Sequence, residues 1–311
     1  MRWGASALYN VSMSIPEFIN DLFARFGGGS RPQHPMVAVI RLYGAIGVGG
    51  FGRRSLSLQA VEPLIKRAFS RKVRAVCLLI NSPGGSAVQS SQIAGLIRTY
   101  SQDKKMPVFA FTEDVAASGG YWLALAADEI YADPMSVVGS IGVISSSFGF
   151  QELMAKIGIE RRVHTQGEHK SLLDPFKAEA PDDVRRLKEI QADIHQQFKN
   201  AVRQRRGERL VANDDTVCSG DIWTGERALE LGLVDGLGDM RTIMRRKYGP
   251  DVRFMMIDRP ASWLQRSFGR FMPGGASYDH SYMQGGSVAG GFANDMLAAV
   301  EERALWARFG L

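Results

Sequence analysis

The stretch at residues 108–126 constrains the fold most. A short apolar strand, VFAF, runs through a polar turn into a helix that opens at Ser118-Gly119-Gly120. A second apolar run at 73–80, VRAVCLLI, empties in the same way into Asn81-Ser82-Pro83-Gly84-Gly85-Ser86, ahead of a helix expected over 87–99. Apolar runs without polar alternation suit strands covered on both faces of a parallel sheet. Further strands are expected at 37–42, 129–132 and 138–144, and helices over 58–70, 148–157 and 181–206. The glycine-rich 44–52 stretch reads as a turn or flap. Strands alternating with helices imply right-handed βαβ crossovers in an α/β fold, whose binding sites collect at the carboxyl ends of the strands. Both glycine-rich turns lie at such ends.

That placement gives Ser118 a chemical reading. A serine leaving a strand for a helix is exposed at the helix N-terminus, where free backbone N–H groups stabilise negative charge. The following glycine allows close approach of a substrate, and the Gly119 N–H can face a developing oxyanion, as it does after other elbow nucleophiles. The Pro83-Gly84-Gly85 turn lacks the lysine and hydroxyl residues of a phosphate loop. Taken alone it is a tight turn. Paired with Ser118 one strand along, its Gly85 N–H becomes a second oxyanion donor, and one such donor is typically worth about 3 kcal/mol of transition-state stabilisation.

A serine nucleophile also needs a base, and no Ser-His-Asp arrangement is evident. Two neighbours compete for the role, Lys170 and His169. Lys170 follows a strand-like 161–165 and a glycine-containing turn, and precedes Leu172, Leu173 and Phe176. Apolar neighbours would strip water from its ammonium and lower its pKa, as a lysine base near neutrality requires.

Composition excludes several other classes. The 311 residues are 45% hydrophobic and 23% charged, ordinary for a globular protein. The net charge of +6 comes without an aromatic-interleaved basic motif, so nucleic acid is not an expected partner. Cys77 and Cys218 are the two cysteines, with Cys77 inside a strand pattern, which suits a reducing compartment rather than a disulfide framework. The five histidines show no metal-ligand spacing, and no cofactor site is evident.

The ends read differently from the middle. A capping box at Ser14 and Glu17 opens an amphipathic helix with Ile15, Phe18, Ile19, Leu22, Phe23 and Phe26 on one face. A Gly/Pro linker follows it. That face is expected to dock on its own protein or a sister subunit, with interfacial membrane attachment as the alternative. No run approaches the roughly 18 apolar residues that span a bilayer, so the expectation is a cytoplasmic protein with peripheral membrane contact as its variant. Residues 241–270 carry eight arginines and lysines against two aspartates, a solvated basic face or a contact for anionic lipid. A flexible Gly/Met/Ser-rich stretch to 291 and a closing helix over 293–309 complete the chain. The expected division is therefore 1–35, 36–258 and 259–311.

Five separated blocks carry a family resemblance: NSPGG at 81–85, AASGGYWLALAAD at 116–128, GSIGVI at 139–144, HKSLLDPF at 169–176 and WTGERALELGLVDGLGD at 223–239. In this order they resemble the signal peptide peptidase A family of serine-lysine peptidases. The resemblance covers about residues 37–248. It implies an α/β fold of the Clp protease/crotonase type, a repeated ββα spiral with a parallel sheet and flanking helices. It also implies Ser118 as nucleophile, Lys170 as general base, Gly85 and Gly119 as oxyanion donors beside Gly84, and Ser140 as the hydroxyl that orients the lysine. No internal repeat is present, so the chain resembles the short members, which form homo-oligomeric rings with the serine and lysine meeting at subunit boundaries. The 181–206 helix and the N-terminal helix are candidate interface elements. The activity implied is endoproteolysis of extended peptides, remnant signal peptides or other membrane-derived peptides among them. Two alternatives stand beside it: a crotonase-like acyl-CoA hydratase or isomerase, which needs acidic residues at the oxyanion hole, and a non-catalytic ring that binds peptides or scaffolds at a membrane.

Overall fold

The computed structural model describes residues 34–47, 56–258, 300 and 303–310. The expected N-terminal helix, its linker, most of the 44–52 flap and the 271–291 stretch lie outside them. Of the closing helix, residues 303–307 are described and helical.

The sheet is built on β1 (Met36–Tyr43), β2 (Ala75–Ser82) and β3 (Val108–Ala117), which run parallel. Each has two buried faces, and side chains alternate between them as the two-residue strand period dictates. Ala38, Ile40 and Leu42 of β1, with Val76, Leu78 and Ile80 of β2, enter one core; Val37, Val39, Ala75, Cys77 and Leu79 enter the other. This is why the runs are continuously apolar. Helices α1 (Leu58–Phe69), α2 (Ala87–Lys104) and α3 (Gly119–Ala124) cover the first face. Ile243 and Met244 of a later helix, Met240–Tyr248, cover the second. Burying each large aliphatic side chain contributes about 1.5–3 kcal/mol, so both faces are needed.

β3 divides the sheet. Its first half, Phe109 to Thr112, pairs with β4 (Glu129–Ala132), and its second half, Val115 to Ala117, pairs with β5 (Val137–Gly139). Between the halves Asp114 is exposed. β5 continues antiparallel to β6 (Ile222–Thr224), β4 pairs with β7 (Gly236–Leu237), and β8 (Arg253–Met256) closes the far edge beside β1. The result is a mostly parallel eight-stranded sheet with flanking helices, the expected α/β class.

Three local expectations need correction. The strand expected over 138–144 stops at Gly139, because Ser140 takes a φ of 52° and leaves the ladder. The strand-like 161–165 is irregular and exposed: an extended segment needs a partner for its N–H and C=O groups, and no described strand pairs with it. The helix expected over 148–157 is the shorter α4 (Gln151–Lys156), with no buried residue. In contrast α5 (Pro181–Arg206) fills its whole expected span, with Pro181 at its start and Asp182 and Asp183 in its first turn.

A buried polar cluster anchors α5 and α3 to the same loop. Arg206, 2% exposed, donates to both carboxylate oxygens of Asp235 at 2.8 and 3.0 Å and to Gly232 O at 2.8 Å. Asp235 also accepts the Ile130 N–H, and the Tyr121 hydroxyl donates to Leu233 O at 2.7 Å. Burial pushes the Asp235 carboxyl upward more than any one partner lowers it, but the Arg206 hydrogen bonds, the Ile130 N–H and the positive charges of Arg206 and Arg209 together hold the group below its ordinary range. A depressed carboxylate contributes stability above its unfolded pKa and loses it as pH falls through the folded value. Asp235→Asn is therefore expected to lower the unfolding free energy by about 3 kcal/mol at neutral pH, the cost of leaving a buried arginine unpaired. Urea titration measures this, and the gap between wild type and variant should narrow towards low pH.

Candidate active site

The site grows from three backbone segments pressed against one another. Ser118 stands between β3 and α3 with φ 51° and ψ −121°, a left-handed conformation that a non-glycine residue adopts only under constraint. Its N–H donates to Gly139 O of β5 at 2.8 Å. Its side chain makes no bond to the helix it opens and is half-buried, so Oγ is available to a ligand. This is the geometry of a nucleophile on a sharp strand-to-helix turn.

The second segment is the turn after β2. Gly84 and Gly85 have φ of 102° and 140°. A Cβ on Gly84 would sit 2.8 Å from Ser118 Cβ and 2.9 Å from Gly119 N, so a side chain there would displace Ser118. A Cβ on Gly85 would strike the Ile46 carbonyl. The third segment, at Ile46, bridges this turn in parallel fashion: Ile46 N–H donates to Gly84 O and Ser86 N–H to Ile46 O, both at 2.8 Å. In such a bridge the N–H of Gly85 itself points away from Ile46. A Cβ on Gly119 would lie 3.4 Å from Gly85 N, so the Gly84-Gly85 turn packs directly on the Ser118-Gly119 start of α3.

Serines that the sequence reading passed over hold this arrangement. Fully buried Ser82 donates from Oγ to Gly44 O at 2.7 Å and accepts the Gly84 N–H at 3.2 Å. Ser86 caps α2 by accepting the Gln89 N–H. Ser90, also fully buried, donates to Ser86 O and packs on Gly119. Ser82 and Ser86 flank the glycines in sequence, the one signal that could have marked them. A groove of about 530 Å³ lies between α2, α3 and α5, with Val88, Trp122, Leu125 and Ile194 among its lining, and neither the glycine turn nor Ser118 lines it.

The remaining candidates are placed less directly. Ser140 is buried, φ 52°, with its N–H on Asp221 O at 2.6 Å, and it follows the Gly139 whose carbonyl holds Ser118. Lys170 is exposed, its backbone N–H on Gly167 O at 3.2 Å, and it joins none of these contacts within the chain. Leu172 and Leu173 are half-buried and Phe176 exposed, so the apolar surroundings expected to desolvate Lys170 do not cover it in a single chain. His169 is exposed too, with Nε2 at 3.7 Å from Glu168. Among the described residues no group of metal-ligating side chains is assembled.

Comparison with known proteins follows the same region. The family model described as Peptidase family S49 matches residues 100–248. A putative protease of Synechocystis, slr0021, is 32% identical over 202 residues, covering 65% of this chain and 69% of that protein. A Brucella abortus protein named Na(+)/H(+) antiporter NhaA is 47% identical over 304 residues, 97% of this chain but 40% of that protein. The chain thus spans two fifths of that relative, and among the described residues no helix is long and apolar enough to cross a membrane. The solved 1510-N membrane-bound stomatin-specific protease aligns with 77% of this chain and 98% of its own, at 14% identity and a TM-score of 0.45.

The close approach at Gly85 makes a sharp test. Gly85→Ala would push the Ile46 segment off the turn and displace the Gly85 N–H expected to donate to an oxyanion, so fluorophosphonate labelling of Ser118 is expected to slow by about 10²–10³-fold. Intact-mass spectrometry over time, on protein shown to be folded by circular dichroism, reads this directly.

Proposed function

The chain belongs to peptidase family S49, and on that premise we propose that it is a serine endopeptidase working through Ser118 and Lys170. The observation that carries the reading is the constrained Ser118 elbow with the Gly84-Gly85 turn packed against it. A peptide lying along the Gly84-Gly85 turn presents its carbonyl carbon to Ser118 Oγ. Lys170 Nζ, entering as the neutral amine, removes the hydroxyl proton as Oγ attacks. Negative charge collects on the former carbonyl oxygen, where the Gly85 and Gly119 amides receive it without reorganising. The tetrahedral species collapses, the amine leaves with the proton carried by Lys170, and an acyl-Ser118 ester remains. Water, deprotonated by the same lysine, attacks that ester and releases the acid. Ser140 Oγ is assigned to orient the lysine.

Lys170 must lose water to be neutral near pH 7, and its own chain leaves it exposed. The second half of the proposal is therefore that Lys170 serves the Ser118 of a neighbouring copy. Support comes from the 144–176 segment, which displays Ile144, Phe148, Leu153, Ile157 and Ile159 to solvent, Phe148 at 80% exposure. Single exposed apolar residues are ordinary, but a contiguous set of this size marks an interaction surface. Laid against a second copy, this segment would exclude water from Lys170 and lower its pKa. Closed rings follow from heterologous contacts of this kind. Extended peptides are the proposed substrates, membrane-derived ones included.

Ser118→Ala and Lys170→Ala are each expected to abolish peptide hydrolysis while leaving secondary structure and assembly intact. Mixed and reassembled, the two inactive proteins should regain part of the activity, because some boundaries pair an intact serine with an intact lysine. Mixed rings verified by native mass spectrometry that stay inactive would place both groups in one chain. An active Lys170→Ala with an inactive His169→Ala would transfer the base to His169.

A further inference from the structure

Two residues at the site occupy the left-handed region, Ser118 at φ 51° and Ser140 at φ 52°. Such conformations persist only where the surroundings over-determine them. Gly139 O takes the Ser118 N–H at 2.8 Å, and the Ser140 N–H goes to Asp221 O at 2.6 Å. The next carbonyl, Ile141 O, is reached from a distant element: His195 Nε2 lies 3.1 Å from it. A carbonyl only accepts, so Nε2 carries a proton there. The neutral Nε2–H tautomer and the imidazolium both satisfy this.

His195 belongs to α5, and the two halves of that helix differ. The C-terminal half is clamped to the nucleophile's helix and its exit. Phe198, one turn beyond His195, stacks on Trp122 of α3 with ring centroids 4.5 Å apart, and Arg205 donates to Leu125 O and Ala127 O at 2.8 and 2.7 Å. The N-terminal half is largely exposed and leads back to the Lys170 segment, where Leu173 N–H donates to Asp183 at 3.2 Å. His195 stands between the halves. Among the described residues it makes the one side-chain hydrogen bond from α5 to the turn that holds Ser118 and carries Ser140.

We infer that His195 is a positioning residue: by gripping Ile141 O it sets the 139–141 turn, and with it the placement of the Ser118 backbone and the Ser140 hydroxyl. It also registers the helix that leads from Lys170 against that turn. The inference rests on the reading of Ser118 as nucleophile. A side chain that merely filled space would be replaceable by shape; one that holds a carbonyl is replaceable by a donor.

The experiment compares wild type with His195→Ala, His195→Leu and His195→Gln in kcat and KM for a quenched fluorescent peptide, with thermal midpoint and oligomer mass recorded for each. Loss of turn placement acts on the reacting geometry, so His195→Ala and His195→Leu should lose about ten- to a hundredfold in kcat with KM changed less than about twofold. His195→Gln, whose amide can donate to the same carbonyl, should recover most of that loss at an unchanged midpoint. Full turnover in His195→Ala, a Gln variant no better than Leu, or a loss that tracks the thermal midpoint would each overturn the inference. Ser118→Ala separates the two levels. If it is inactive while His195→Ala is fully active, only the His195 assignment falls; if it retains turnover, the nucleophile reading falls and takes this inference with it.

Discussion

The structure depends on a place where three backbones come closer than side chains allow. Gly84 lies against Ser118, Gly85 against the Ile46 carbonyl, and a Cβ on Gly120 would stand 2.5 Å from Ser82 O. Glycine at these positions lets the end of β2, the start of α3 and the segment after β1 share one small volume. Ser118 is held against that volume in a strained conformation by its N–H bond to Gly139 O.

The strain at that point is supported from below by ordinary packing. β1, β2 and β3 are buried on both faces, and Tyr121, one turn into α3, is fully buried with its hydroxyl on Leu233 O. The Arg206–Asp235 pair fixes the end of α5 to the same loop. Removal of any one of these would loosen the elbow from outside the site. The neighbourhood of Lys170 is built in the opposite manner: α4 has no buried residue, and the 144–176 segment shows much of its apolar surface to solvent. One region is packed and braced within a single chain, whereas the other leaves apolar side chains exposed to solvent.

Much of this arrangement was legible from residue order. Continuous apolar runs announced strands buried on both faces, and the helix expected over 181–206 is α5 over its whole length. Glycine pairs at the carboxyl ends of two strands pointed to the turns that meet. The misreadings have physical causes. GSIGVI has strand composition, but Ser140 turns out of the ladder after Gly139, and composition does not register a single φ. Residues 161–165 also have strand composition, and pairing depends on a partner that the described chain does not present. Leu172 and Leu173 were expected to desolvate Lys170, but being apolar and adjacent does not decide which way a segment folds.

The sequence by itself determined the class of fold, the alternation of strands and helices that builds β1 to β4 and their covering helices, and the family, because these rest on local periodicity and on short blocks whose spacing survives in the linear chain. Tertiary structure alone decided that the Gly84-Gly85 turn packs on Ser118, that Ser82 and Ser90 brace the glycine turn, and that His195 reaches Ile141 O across 54 residues of chain. Those contacts join segments that are distant in sequence, and their existence depends on the register and bending of β3 and the close approach of backbones. No residue type or spacing encodes that approach, so it becomes visible only when the sheet is assembled.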